Sequence, residues 1–181
     1  MRGVFIVLAL TCLVATACGG GAGAPAAVAT TAAPTPQTTF VLTADLSPAN
    51  ENPPIIDSEA SGSGTTTATF TTTKDASGKI TAATVKFEIV LKGFPTTTVL
   101  ILSHIHKGDA KTNGNVVVDS GMKPTDPIAL ATGGTSITKD NITVDPALAT
   151  DIIANPGNYY YNVHSQIHQG GVARGQLKLK T

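Results

Sequence analysis

Apolar and polar residues alternate along most of the chain after residue 40, in short runs separated by turn residues. The clearest run is 80–94, where every second position from Val85 to Leu91 is apolar and the intervening Lys86 and Glu88 are charged. Successive side chains of a strand point to opposite faces, so this period of two predicts a strand with one buried face.

Similar runs recur between turn-forming segments, and we predict further strands from them. These runs lie at 40–48, 64–73, 98–106, 115–120, 158–165 and 172–180. One segment differs, because Asp145, Pro146 and a later Pro-Gly pair are the start and stop signals of a short helix over 145–157. The pattern therefore predicts an all-β fold, an antiparallel β-sandwich with one short helix.

The first residues do not follow this pattern. Arg2 is followed by an apolar run from residue 4 to residue 14 and by three small residues, which is the layout of a secretory signal peptide over 1–17. Cys18 comes directly after them and resembles the lipidated cysteine of a bacterial lipobox. We therefore expect cleavage before Cys18 and a lipid anchor on it, with a plain secretory signal as the alternative.

Residues 18–39 carry no charge and are rich in Gly, Ala, Pro and Thr, which predicts a flexible linker before a domain at 40–181. Cys12 would leave with the signal peptide, so Cys18 would be the only thiol and no disulfide is expected within the chain. Together these features predict an exported, lipid-anchored protein of the cell envelope. Whether it faces a periplasm or the outer surface stays open.

Charge narrows the choice of partners. The 181 residues include 12 basic and 12 acidic residues, so the charges balance. Because a nucleic-acid partner requires a concentrated basic surface, we expect no nucleic-acid partner. We expect contact with the membrane through the lipid, and an envelope protein or glycan as a further partner. Three consecutive tyrosines, Tyr159 to Tyr161, are a candidate contact surface, although alternation places at least one of them in the core.

Histidine is the residue type that most directly suggests a functional site, and the chain contains four histidines. His104 and His106 are two apart on a predicted strand, so their rings lie side by side on one face. His164 lies on another predicted strand, and His168 lies in the turn that follows it. Imidazole nitrogens suit copper, zinc or nickel, so these four residues are candidate metal ligands, with copper as the candidate cofactor.

A structural alternative uses the same histidines. They would join a polar network with Asn162, Ser165, Arg174 and Gln176 that ties the last hairpin to the central strand. Arg174 would then brace the C-terminal strand, with Glu51 as its partner. The sequence alone leaves both interpretations open. It contains no GxSxG elbow and no phosphate-binding P-loop, so common hydrolase and nucleotide chemistries are not indicated.

Four segments resemble the CHRD domain family: LSPANENPPI, ASGSGTTTATF, LSHIHKGDAKTNGNVVV and NYYYNVHSQIHQGGVARGQL. They cover nearly all of residues 40–179. The resemblance implies an immunoglobulin-like β-sandwich, in a family whose function is unsettled. We expect this chain to act as a binding or structural module. Where that family commonly has Asn-Pro after its second histidine block, this chain has Ile167-His168.

A fainter resemblance is to copper/zinc superoxide dismutases, which share the order His-x-His, later His, then Arg. It implies a copper-binding redox protein with a superoxide-dismutase-like sandwich as the alternative function. His104, His106 and His164 would be the ligands, and Arg174 would guide an anion. No histidine lies between His106 and His164 to bridge to a zinc ion.

Overall fold

The computed structural model describes residues 36–180. The predicted signal peptide, Cys18 and most of the predicted linker lie outside these residues. The first strand begins at Gln37, three residues before the predicted start of the domain. No helix within the described part of the chain is long and apolar enough to cross a membrane.

The first sheet is antiparallel and contains the longest strands. Its members are β1 (Gln37–Leu46), β2 (Ser63–Lys74), β3 (Ile80–Lys92), β7 (Thr135–Val144) and β10 (Lys178–Leu179). They pair in the order β10-β1-β2-β3-β7. Seven of the 12 residues of β2 are threonine, and β3 contains two each of threonine, valine and isoleucine. Such β-branched side chains pack well on a pleated surface.

The second sheet is also antiparallel. Its strands are β4 (Val99–Lys107), β5 (Val116–Asp119), β6 (Ile128–Ala129), β8 (Tyr159–Ser165) and β9 (Ala173–Gln176). They pair in the order β5-β4-β8-β9, and β6 pairs with one end of β4. Backbone hydrogen bonds between Ser47 and Arg174 join the end of β1 to β9, so the two sheets also meet at one edge.

The core lies between the two sheets and confirms the predicted sandwich. Phe87 of β3 meets Tyr161 of β8 with ring centroids 5.1 Å apart. In β4, Ile105 belongs to this core, and in β8 so does Val163. Because strand residues alternate, His104 and His106 on β4 must face away from it.

The predicted helix is confirmed as α1 (Pro146–Ala154), although it ends three residues early and a 3₁₀ turn over Pro156–Asn158 follows. Asp145 caps it by accepting hydrogen bonds from the backbone N–H groups of residues 147 and 148. Two strands were not predicted. β6 has only two residues, and β7 is an edge strand whose apolar period is interrupted by Lys139, Asp140 and Asn141.

Candidate metal site

Three histidines meet on the outer face of the second sheet. In the register of β4 and β8, His104 lies opposite Asn162 and His164 lies opposite Leu102, so the three rings are neighbours across one strand pair. One nitrogen from each of His104, His106 and His164 lies within 4.8 Å of the other two. All three residues are buried, with exposures of 5–7%.

Two backbone carbonyls fix which nitrogens are free. Nδ1 of His106 lies 2.9 Å from the carbonyl oxygen of Gly114, and Nδ1 of His164 lies 2.8 Å from that of Gln169. A carbonyl only accepts, so both Nδ1 atoms carry the hydrogen and donate. In the neutral rings Nε2 therefore keeps its lone pair, and it is this nitrogen that can bind a metal.

The third histidine is oriented differently. Nδ1 of His104 lies 3.2 Å from Nε2 of His164. Nε2 of His104 lies 4.0 Å from a carboxylate oxygen of Asp119. Without a metal, His104 donates from Nδ1 to His164. Nε2 of His106 is buried and has no hydrogen-bond partner among residues 36–180. An unsatisfied buried nitrogen beside two other imidazoles is a feature that a bound ion would explain.

The surroundings keep these rings neutral. Burial lowers the pKa of His164 to about 4, with further lowering by His104 and His106 and partial compensation from the hydrogen bond to Gln169. Burial is also the main cause that lowers the pKa of His104 and of His106. Neutral imidazole is the form that coordinates metal, so no proton has to be removed first at neutral pH.

Arg174 acts as a brace beside the site. It is 1% exposed, and its guanidinium donates to the carbonyls of Asn50, Ala110 and Thr112 and to Oδ1 of Asn113. Its Cζ atom lies 4.6 Å from the ring centroid of Tyr160.

The ring of Tyr160 in turn stacks on His106, with centroids 4.9 Å apart and an angle of 6° between the planes. The Tyr160 hydroxyl also accepts a hydrogen bond from the N–H of Gly114. Arg174 and Tyr160 therefore hold His106 and the loop that fixes its tautomer.

The structure does not bring His168 to the cluster, so its prediction as a fourth ligand is wrong. Nε2 of His168 lies 2.8 Å from a carboxylate oxygen of Asp57 and 3.8 Å from one of Glu59. The turn after β8 therefore directs this ring toward the acidic 57–59 segment and away from the three imidazoles.

The predicted polar network is divided into separate parts. Ser165 donates to the buried carboxylate of Glu59, and Gln176 donates to the carbonyls of Gly108, Gly157 and Tyr159. Oδ1 of Asn162 has no partner among the described residues. Of the predicted members, only His104 and His164 bond directly through their side chains.

Two further predictions are corrected. Glu51 is not the ion-pair partner of Arg174, because the guanidinium bonds to four loop oxygens and Oε1 of Glu51 has no partner within residues 36–180. Tyr159, Tyr160 and Tyr161 are all at most 2% exposed, so they do not form a contact surface.

Comparison with known families places this geometry in context. The family model described as the CHRD domain matches residues 42–177. The chain belongs to the CHRD-domain family. The match spans the sandwich from β1 to the end of β9, and so the CHRD domain includes all three clustered histidines. No curated protein and no solved structure matches the chain.

Some residues of this CHRD site were not found from sequence. Asp119 faces His104 across the β4–β5 pair, and Tyr160 lies opposite His106 in the β4–β8 pair. Both relations depend on strand register, which alternation alone does not give. The carbonyls of Gly114 and Gln169 carry no side-chain signal at all.

Proposed function

We propose that this CHRD domain binds a transition metal ion, with copper as the first candidate. Nδ1 of His104 and Nε2 of His106 and His164 would hold it. The observation that carries the proposal is that one nitrogen of each of the three rings lies within 4.8 Å of the other two, together with the buried, unpartnered Nε2 of His106.

The distances fit one ion after a small adjustment. Metal–imidazole bonds are about 2.0–2.1 Å long, so two ligands of one ion lie at most about 4.2 Å apart. The His104–His164 pair, at 3.2 Å, is already inside that limit. A pair at the full 4.8 Å would have to close by about 0.6 Å, which small ring rotations supply. Binding would also move the His104 proton from Nδ1 to Nε2, which faces Asp119.

The donor set favours copper over other ions. Three imidazoles suit copper, zinc and nickel, and among divalent ions copper binds nitrogen ligands most tightly. Copper would supply redox chemistry, but the surroundings favour binding over turnover. Arg174, the expected anion guide of the redox alternative, is buried and donates to loop oxygens.

Metal loading tests this proposal directly. The chain from residue 19 to 181 contains every described residue and lacks the predicted lipidation site. After incubation with Cu²⁺ and desalting, we expect one copper per chain and nitrogen hyperfine splitting in its electron paramagnetic resonance spectrum. His106→Ala and His164→Ala should lose the ion, whereas His168→Ala should retain it. Folded wild-type protein that retains no copper, zinc or nickel would refute the proposal.

We also propose that Cys18 anchors the protein in the cell envelope. The support is the apolar run that precedes it and the uncharged segment that follows. In the native host, the wild-type protein should partition into the detergent phase of Triton X-114, and Cys18→Ser should prevent this. Equal partitioning of the two proteins would contradict a lipid on Cys18.

A further inference from the structure

An acidic residue, Asp119, faces the histidine cluster from the edge strand β5, where it lies opposite His104 in the β4–β5 register. Its Oδ1 accepts a hydrogen bond from the N–H of Gly121 at 2.7 Å, which orients the carboxylate. Its Oδ2 lies 4.0 Å from Nε2 of His104. The Asp119 side chain is 61% exposed and that of His104 is 9% exposed, so the carboxylate lies at the border between the buried rings and solvent.

The ring of His104 lies between two groups with opposite requirements. Nε2 of His164 keeps its lone pair, because Nδ1 of that ring donates to Gln169, and it lies 3.2 Å from Nδ1 of His104. This contact requires the His104 hydrogen on Nδ1. The carboxylate of Asp119 only accepts, so a hydrogen bond to it requires the hydrogen on Nε2. A neutral imidazole carries one N–H and can satisfy only one of the two groups.

Without a metal, the closer of the two groups determines the tautomer. The 3.2 Å contact to His164 is within hydrogen-bond distance, whereas the 4.0 Å contact to Asp119 is not. The hydrogen therefore lies on Nδ1, and the lone pair on Nε2 faces a carboxylate oxygen. Two acceptors that face each other repel, so Asp119 does not stabilise the metal-free cluster.

A metal ion would reverse this balance. If the ion takes the lone pairs of Nδ1 of His104 and Nε2 of His164, the hydrogen of His104 can lie only on Nε2. No net proton is released, because the hydrogen lost from Nδ1 is matched by one gained on Nε2. Closing the 4.0 Å distance by about 1 Å would then give a charge-assisted hydrogen bond of roughly 2.8 Å. An exposed side chain on an edge strand has the freedom to make this movement.

We propose that Asp119 is a positioning residue that holds His104 in its metal-binding tautomer and thereby strengthens metal binding. This role rests on the proposed metal site, because Asp119 contacts the ligand ring and not the ion. A carboxylate that bonds only to the metal-bound tautomer favours the loaded state over the empty one. Hydrogen-bond partners of metal ligands typically change metal affinity by about 10- to 100-fold. Because Asp119 is exposed to solvent, its contribution lies at the lower end, about tenfold.

The position of the His104 hydrogen can be measured in the chain from residue 19 to 181, labelled with ¹⁵N-histidine. Zn²⁺ is the probe, because imidazole ligands suit it and it is diamagnetic. Long-range ¹H–¹⁵N correlations, assigned with His104→Gln, should show the hydrogen on Nδ1 in the metal-free protein and on Nε2 in the zinc-loaded protein. A hydrogen that stays on Nδ1 after zinc uptake would overturn this role of Asp119 and leave the metal site standing. Wild-type protein that takes up no zinc, copper or nickel would remove the metal site and the role of Asp119 together.

Asp119→Asn measures the contribution of the carboxylate. Its amide oxygen can still accept from Gly121, so the melting temperature of the metal-free protein should not fall. The amide N–H then faces Nε2 of His104 and favours the metal-free tautomer. Affinity for Zn²⁺ and Cu²⁺ should therefore fall about tenfold, and the Nε2–H signal of zinc-loaded His104 should move upfield.

Asp140→Asn is the matched control. It removes the same charge from an exposed position on β7, in the other sheet, and should bind both metals like the wild type. Equal metal affinities in Asp119→Asn and Asp140→Asn would overturn the role of Asp119, even if His104 changes its tautomer as expected.

Discussion

Replacing Glu51 with glutamine should stabilise the domain by an amount that grows with pH. Burial raises the pKa of Glu51 from its ordinary 4.5 to about 7, and the nearby charge of Arg174 only partly opposes this. In the folded protein the carboxyl group therefore keeps its proton over a range in which the unfolded chain has lost it. Glutamine has the same shape and does not ionise.

The sign and size follow from proton linkage. Below pH 4.5 both states of Glu51 are protonated, and the group makes no pH-dependent contribution. Between pH 4.5 and 7 the folded state binds more protons than the unfolded state, so stability falls as pH rises. One pKa unit corresponds to about 1.4 kcal/mol, so the full effect is about 3 kcal/mol, complete above pH 7. For a domain of this size that is roughly 10 °C in melting temperature.

Urea unfolding of wild-type and Glu51→Gln protein at several pH values between 4 and 8 measures this effect. The quantity of interest is the free energy of unfolding of Glu51→Gln minus that of the wild type at the same pH. This difference should increase by about 3 kcal/mol from pH 4 to pH 8. Glu88→Gln, on an exposed residue paired with Lys86, should show a much smaller change. A Glu51→Gln difference that is constant with pH would refute the reasoning, because it would mean that Glu51 ionises equally in both states.

Three further predictions concern the site and its loops. Because the pKa of His164 is lowered to about 4, the metal-free protein should lose roughly 3 kcal/mol between pH 6.5 and 4, and His164→Gln should flatten this loss in urea titrations. Arg174→Lys should cost about 2–4 kcal/mol of unfolding free energy, since an ammonium cannot reach four oxygens, and no change would contradict the brace. Gly171→Ala should lower the melting temperature through a cost of about 1–3 kcal/mol, because φ is +137° and a Cβ would lie 2.4 Å from Nδ2 of Asn162; Gly170→Ala, with open space around it, should not.

The sandwich could be predicted from sequence because each long strand carries its own signal. Alternation in β3 gives the buried face directly, and the capping residue Asp145 gives the start of α1. The edge strand β7 was missed because one of its faces is solvated and the other is only partly covered, so its apolar period is weak. Which strand pairs with which depends on contacts distant in sequence, and no local pattern encodes them.

The candidate site was predictable in part for the same reason. The i, i+2 spacing places His104 and His106 on one face wherever the strand lies. The addition of His164 depends on β8 pairing with β4. The resemblance to copper/zinc superoxide dismutases suggested it where periodicity could not. The orientation of His168 depends on a contact with Asp57, more than one hundred residues away in sequence.

The position of the histidines separates the site from the core. Ile105 and Val163 pack inside the sandwich, whereas the neighbouring His104, His106 and His164 face the opposite side of the same strands. The two carbonyls that fix the tautomers of His106 and His164 belong to loops. Substitution of one of these histidines therefore removes a ligand without opening a cavity between the sheets. Movement of either loop changes the direction of a ligand nitrogen and leaves the sandwich intact. Metal affinity should consequently respond to the 110–114 loop that Arg174 holds and to the turn that carries Gln169, and far less to the packing of the core.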